Sequence, residues 1–316
     1  PAPVAGDYPE WMDDHLAAAF GEERVAEAAA MARRAPLDLR VNTLKAQRDK
    51  VAASLTHLRA KPTPWSPWGL RIALGADARN PGIHAEADFI KGGIEVQDEG
   101  SQLAALFSGA EPGEQVIDLC AGAGGKTLAL AAMMQGRGRL IATDSDKRQL
   151  APIFERLSRA GVHNAEVRAP KGEADPLIDI RASADLVLID APCTGTGTWR
   201  RNPDAKWRIR PGALDIRLKA QAGVLDRAAA LVKPGGRIAY VTCSVLPLEN
   251  EAQVRAFVAR QPAFKVVPPD EVASALGDKA AAFLAAARRR PEGLLMTPRR
   301  TGTDGFFVAV LTRAAD

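Results

Sequence analysis

The sequence predicts a doubly wound, Rossmann-like α/β domain preceded by a small α+β module. Three observations carry this. From about residue 96, short apolar runs alternate with helical stretches. A glycine-rich turn sits where the first of those runs meets its helix. Residues 185–189 form a near-continuous apolar run, the pattern of a central parallel strand buried on both faces.

The elements follow in order. Residues 11–34 read as an Ala-rich helix with Trp11, Leu16, Phe20 and Val25 on its apolar side. Residues 37–42 alternate as a half-buried strand, 45–58 as a helix and 70–74 as a strand, after a Pro/Trp-rich turn at 61–69. Strand, helix and strand over this length suggest a ferredoxin-like module. The predicted division is a helical segment at 1–34, the α+β module at 35–95 and the larger domain at 96–316. In the larger domain, strands are expected at 115–119, 139–143, 185–189, 237–242 and 306–311. Helices are expected at 126–134, 146–160, 214–232 and 248–260. Lys233-Pro-Gly-Gly236 is a strong stop for the third of these. Residues 262–300 read as an excursion between the last strands.

Composition excludes several classes. The 316 residues are 47% hydrophobic and 25% charged, which supplies a sizeable core. The longest apolar runs, such as 281–287, are too short for a bilayer, so no membrane partner is expected. Beginning at Pro1 without an initiator Met or a signal-peptide pattern, the chain reads as a fragment or processed product. Three cysteines do not make a disulfide framework, which predicts a cytoplasmic protein. The net charge of +4 is uneven: −6 over 1–31, +5 over 32–95 and +5 over 96–316.

The glycine turn is Asp118-Leu-Cys-Ala-Gly-Ala-Gly-Gly-Lys-Thr127. A P-loop needs glycine where Cys120 stands, and a dinucleotide turn needs glycine where Thr127 stands. A nucleoside-type cofactor without a pyrophosphate, S-adenosylmethionine, remains. It needs an acid at the end of the second strand for the ribose, and Asp144 occupies that place. The plain alternative is a structural turn beside a surface Asp.

Two cysteines follow predicted strands: Cys193 in Asp190-Ala-Pro-Cys193, and Cys243 in Thr242-Cys-Ser244. Ligands of open α/β sheets bind outside the carboxyl ends of strands, so both thiols belong at the cofactor end. Cys120 reads as a small buried hydrophobe. No Cys-x-x-Cys exists and the four histidines are scattered, so no metal is expected. Thiols suit one methyl-transfer problem in particular. Carbon 5 of cytosine is a poor nucleophile until a thiolate adds to carbon 6 and makes it an enamine carbon. A second group must then help to remove the C5 proton, and Asp190 can bond the ring nitrogen.

At these residues the sequence resembles the Nop/Sun (RsmB-like) RNA 5-methylcytosine methyltransferases. The similarity rests on Tyr8-Pro-Glu-Trp11, Leu39-Arg-Val-Asn42, Val96-Gln-Asp98, the glycine turn, Asp190-Ala-Pro-Cys193 and Arg200-Arg-Asn-Pro-Asp-Ala-Lys-Trp207. It continues through Thr242-Cys-Ser244, Leu246-Pro-Leu-Glu-Asn250 and Thr303-Asp-Gly-Phe-Phe307, and covers about residues 8–312. The resemblance implies a class I methyltransferase domain behind an RRM-like RNA-binding module. It implies Cys243 as nucleophile and Cys193 as the thiol assisting proton abstraction and release. DNA cytosine methyltransferases use the Pro-Cys thiol as nucleophile instead. Cofactor contacts carry over onto Cys120, Ala121, Gly122, Ala123, Gly124, Gly125, Lys126, Asp144 and Asp190. Two departures stand out. Gly122-Ala123 replaces the family's Ala-Pro, and a family Asp near the adenine is replaced around Pro170-Lys171-Gly172. The NusB-like N-terminal domain of some bacterial members is missing from the sequence, either absent or cut off before Pro1.

Between Trp199 and Arg210, five bases face Asp204 alone, with Trp199 and Trp207 interleaved. Such a loop suits phosphate contact and base stacking, with Arg200, Arg201, Lys206 and Trp207 as the RNA-binding candidates. The alternative is a solvated loop whose Trp side chains pack on the core. The reading as a whole is a monomeric RNA (cytosine-C5) methyltransferase acting on a single-stranded or flipped cytosine, most readily in ribosomal RNA. A transfer-RNA substrate, or a non-catalytic ribosome-assembly factor that kept the fold, are the alternatives.

Overall fold

Two sheets organise the chain in the computed structural model, which describes residues 1–75, 79–172 and 174–315. The smaller sheet holds β1 (Leu37–Val41), β2 (Lys61–Pro62), β3 (Gly69–Ile72) and β4 (Ile94–Val96) in the order β2-β3-β1-β4, all antiparallel. The helix Arg48–Ser54 follows β1, and the helix Ala87–Ile90 precedes β4. This is a ferredoxin-like arrangement. Its core is small: Leu39, Val41, Val51, Leu55, Leu70, Ile72 and Ile94, each nearly inaccessible.

The larger sheet takes its order from the alternating pattern after residue 96. Its strands are β5 (Gln115–Asp118), β6 (Arg139–Ala142), β7 (Ala165–Val167), β8 (Ala184–Asp190) and β9 (Val232–Thr242), followed by β10 (Phe264–Val266), β11 (Arg288–Arg290), β12 (Gly293–Met296) and β13 (Phe306–Arg313). The order is β11-β12-β13-β9-β8-β5-β6-β7, with β10 against β13. Pairing is parallel from β7 through β9 and antiparallel beyond it. Leu186, Val187, Leu188 and Ile189 are fully buried, as a central strand covered on both faces requires. Among the described residues, no helix is long and apolar enough to cross a membrane.

Several elements differ from the sequence reading. The expected helix at 11–34 is two helices, Asp13–Phe20 and Arg24–Ala32, because Gly21 turns the chain at φ 59°. The expected helix at 146–160 divides into Lys147–Leu150 and Ile153–Ala160. Pro152 at the junction has no N–H for a continuous helix. The helix before β9 starts earlier than its apolar pattern, at Pro211, and β9 takes up Lys233-Pro-Gly-Gly236 immediately after the helix ends. Residues 262–300 hold the hairpin β11–β12, which extends the sheet at its edge. Three consecutive arginines in β11 conceal a strand from any hydrophobic pattern, and charge of this kind suits an edge.

The acidic N-terminus is explained by its neighbours. Tyr8, Met12, Leu16, Phe20 and Met31 join the same core as Val187, Ile189 and Tyr240 of the large sheet. Glu23 pairs there with Arg288 and Arg299 (2.7 Å to Arg299), and Glu27 beside them is fully buried.

A second charged cluster ties the two sheets together. Asp98, just past β4, accepts from Arg200 (3.1 Å) and Arg201 (2.8 Å), and the backbone N–H of Asp304 donates to it (3.0 Å). The Asp304 carboxylate also pairs with both arginines, while burial and Asp98 push its carboxyl up to about 6. The side chains of Arg200, Asp98 and Asp304 are each 6% exposed or less. Replacing one partner of such a group leaves buried charge uncompensated, so Arg200→Ala is expected to cost about 3–5 kcal/mol in denaturant unfolding. A loss below about 1 kcal/mol would mean that the pair behaves like a surface one.

Candidate active site

The site forms at the carboxyl ends of β5, β6, β8 and β9, around the β5/β8 reversal of strand order. The turn after β5 depends on Gly122 and Gly124, at φ 50° and 86°. A Cβ on Gly124 would stand 2.4 Å from Ile153, so the close approach of the helix Ile153–Ala160 demands glycine. Gly125 opens the helix Gly125–Met133, which carries Lys126. Asp144, just past β6, accepts the backbone N–H of Gly122 at 3.0 Å and of Asp146 at 2.9 Å. Ala121 donates its N–H to Thr143 (2.9 Å). Arg156 bonds the Ala123 carbonyl (2.8 Å) and Glu95 of β4 (3.0 Å), which fixes the turn against the small module.

Three carboxylates meet near one ammonium. Lys126 Nζ donates to Asp190 Oδ2 at 2.6 Å and lies 5.2 Å from the Phe306 ring centre. Asp118, at the end of β5, is fully buried; Oδ2 accepts from Thr127 (2.7 Å), and Oδ1 has no hydrogen-bond partner. Burial, with Asp190 and Asp144 nearby, pushes the Asp118 carboxyl up to about 7. Burial and the same acids push the Cys120 thiol up, so it stays protonated. This donor set fits S-adenosylmethionine. A sulfonium and an ammonium are drawn to excess carboxylate, whereas a pyrophosphate would be repelled.

The two remaining thiols come together. Parallel pairing of β8 and β9 sets Asp190 opposite Val241, and Ala191 donates its N–H to Val241 (2.8 Å). Cys193 and Cys243 therefore leave neighbouring strand ends, with their sulfurs 3.4 Å apart. Contact with the Cys243 sulfur, burial and the nearby Glu249 carboxylate push the Cys193 thiol well up. The Cys193 thiol is thereby kept protonated, and either sulfur can donate to the other.

The basic loop is placed differently. Arg200 and Arg201 face Asp98 and Asp304, and Lys206, 2% exposed, pairs with Asp7. Their charges are met inside the fold by acids distant in sequence, which a local count with Asp204 alone could not include. Trp199 is buried. Trp207 is 58% exposed and borders a cleft of about 710 Å³ with Val4 and Tyr8, separate from the thiols. The sequence reading missed Glu249 and Gln221. Glu249 lies within the quoted 246–250 motif, but its burial and partners follow only from the fold. Lys171 is exposed and forms an isolated β-bridge with Ala174.

Comparisons with known proteins place this geometry. Residues 106–312 match the family described as 16S rRNA methyltransferase RsmB/F, and residues 8–79 match the ferredoxin-like domain of RsmF/B-like methyltransferases. Ribosomal RNA small subunit methyltransferase B of Klebsiella pneumoniae is 35% identical over 257 residues, 81% of this chain and 58% of the relative. The probable ribosomal RNA small subunit methyltransferase B of Synechocystis is 32% identical over 97% of this chain and 67% of its own length. The chain thus spans about three fifths to two thirds of these curated relatives. The crystal structure of a methyltransferase homolog protein from Pyrococcus horikoshii superimposes with a TM-score of 0.77 at 26% identity, covering 99% of this chain and 97% of that one. With both parts matched in order, the chain belongs to the RsmB/F family of S-adenosylmethionine-dependent rRNA methyltransferases.

Proposed function

We propose that the protein methylates carbon 5 of a cytosine in small-subunit ribosomal RNA through a covalent bond to Cys243. The observation that carries this reading is the pair of thiols 3.4 Å apart beside the acidic cofactor turn. The family names support the ribosomal substrate, and a bacterial cytoplasmic setting goes with it.

S-adenosylmethionine supplies the methyl group; the turn from Cys120 to Lys126, Asp144 and Asp190 would hold it. The Cys243 thiolate forms a bond to C6 as the C5=C6 electrons move towards C5. Asp190, held by Lys126 and 35% exposed on its side chain, would bond the ring and stabilise the charge that develops. Once Cys243 carries carbon, its charge no longer holds up Cys193. The Cys193 proton can pass to solvent, and the second thiol can take the C5 proton. This follows the bonding of C5 to the methyl carbon, whose former sulfur keeps the bonding pair; the C5–H electrons then restore C5=C6 and expel the Cys243 thiolate. From the loop after Cys193, the exposed Trp207 and Arg210 remain for RNA contact, as stacking surface and phosphate partner. Arg200, Arg201 and Lys206 position the loop through their ion pairs.

Bisulfite sequencing of 16S rRNA incubated with protein and cofactor is expected to reveal a newly protected cytosine; complete conversion at every position would refute the activity. Cys243→Ala should lose methylation while still binding cofactor, and retained turnover would name the wrong nucleophile. Cys193→Ala should accumulate a protein–RNA adduct visible as a shifted gel band, because attack persists and release fails. Absence of that band with Cys243 intact contradicts the role of Cys193. Asp118 gives a pH test. Its folded carboxyl ionises near 7 and its unfolded one near 4, so its contribution to stability is lost as pH rises through about 7. Asp118→Asn should therefore raise the melting temperature of cofactor-free protein more at about pH 8 than at about pH 5. An equal shift at both pH values would show that Asp118 is not held protonated.

A further inference from the structure

Outside the reacting groups, one buried carboxylate touches both cysteine loops. Glu249 is fully inaccessible. It accepts the backbone N–H of Thr194 (2.8 Å), the Thr194 hydroxyl (2.5 Å), the Ser244 hydroxyl and the Gln221 amide (3.0 Å). Thr194 follows Cys193 and Ser244 follows Cys243. Four donors converge on it, the pattern that an acceptor-only carboxylate satisfies. Its surroundings extend the same grip. Gln221, on the helix Pro211–Leu231, also donates to the Pro192 carbonyl (3.0 Å), just ahead of Cys193. Tyr240 donates its hydroxyl to the Glu249 carbonyl (2.6 Å), and Asn250 accepts from Thr242 (2.5 Å) and donates to the Ser244 carbonyl (2.9 Å). Residues on both sides of each cysteine are therefore tied to Glu249, Asn250 or Gln221.

From this geometry we infer that Glu249 is the positioning residue that sets the two thiols in register and keeps their roles distinct. The inference rests on the proposed two-thiol reaction. A carboxylate spanning both loops fixes the distance between the sulfurs, and displacements near 1 Å are enough to slow a reaction between held groups about a hundredfold. Its negative charge also acts on the Cys193 thiol. It disfavours a second anion at Cys193, which keeps that thiol protonated. An amide of the same shape carries a donor where the site has only donors, so Glu249→Gln cannot satisfy all four contacts.

The test compares native protein with Glu249→Gln, and with Glu249→Asp, which keeps the charge but is one methylene too short to bridge both loops. Iodoacetamide labelling, read peptide by peptide by mass spectrometry without RNA, gives the ratio of Cys243 to Cys193 alkylation. Steady-state methylation gives kcat and KM. The native protein should favour Cys243, and Glu249→Gln should reduce that preference at least about fivefold. Both variants should lower kcat about tenfold or more, with KM for RNA and for S-adenosylmethionine within about twofold of native. A native alkylation ratio in Glu249→Gln overturns the inference. So does an activity loss that only follows lost cofactor binding and a lowered melting temperature. If native protein methylates no cytosine, the proposed reaction fails, whereas the labelling ratio still decides whether Glu249 orders the thiols.

Discussion

Everything in the site depends on the parallel pairing of β8 with β9. These two buried strands run in register to Asp190 and Val241, and each releases a cysteine within three residues of its last paired position. The sulfurs meet because the strands do. A parallel pair at the centre of a sheet cannot slip without moving its apolar side chains out of register with both covering layers. The most constrained part of the core thus brings Cys193 and Cys243 to neighbouring strand ends. The loops add the fine placement. Gly197 and Gly305 cross there so closely that a Cβ on Gly197 would lie 2.1 Å from the Gly305 carbonyl oxygen.

Charge is arranged with equal economy. The cofactor end gathers Asp118, Asp144 and Asp190 about one lysine, an environment suited to a cationic ligand. The arginines that give the chain its basic balance are largely spent on internal acids. Arg200 and Arg201 lock Asp98 and Asp304, Arg156 and Arg159 grip Glu95, and Arg288 with Arg299 holds the acidic N-terminal helix. These pairs join the small antiparallel sheet, the N-terminal helices and the large sheet into one framework. They also carry the module that resembles an RNA-binding domain up to the glycine turn, through Arg156 and Ala123.

What could be read in the sequence was what local pattern encodes. The central strand at Ala184–Asp190 was legible from its unbroken apolar run, and the turn at 118–127 from its glycines and the acid at Asp144. The two thiols were legible as a pair because both follow strands. What was hidden depends on distant partners. Arg200 and Arg201 read as free cations until the fold supplied Asp98 and Asp304 from about a hundred residues away on either side. Glu249 read as one letter of a motif because its meaning lies in donors from Thr194, Gln221 and Ser244. The hairpin β11–β12 was hidden for another reason: an edge strand made of arginines has no hydrophobic signature.

The central claim is that Cys243, rather than the Cys193 thiol against which it lies, bonds to the cytosine. It is tested most directly with 16S rRNA containing 5-fluorocytosine, whose fluorine cannot leave C5 as a proton does, so the bond to sulfur persists. After incubation with S-adenosylmethionine and nuclease and protease digestion, mass spectrometry is expected to find a methylated fluorocytidine on the peptide containing Cys243. The nucleotide on the Cys193 peptide, or on neither, would contradict the account.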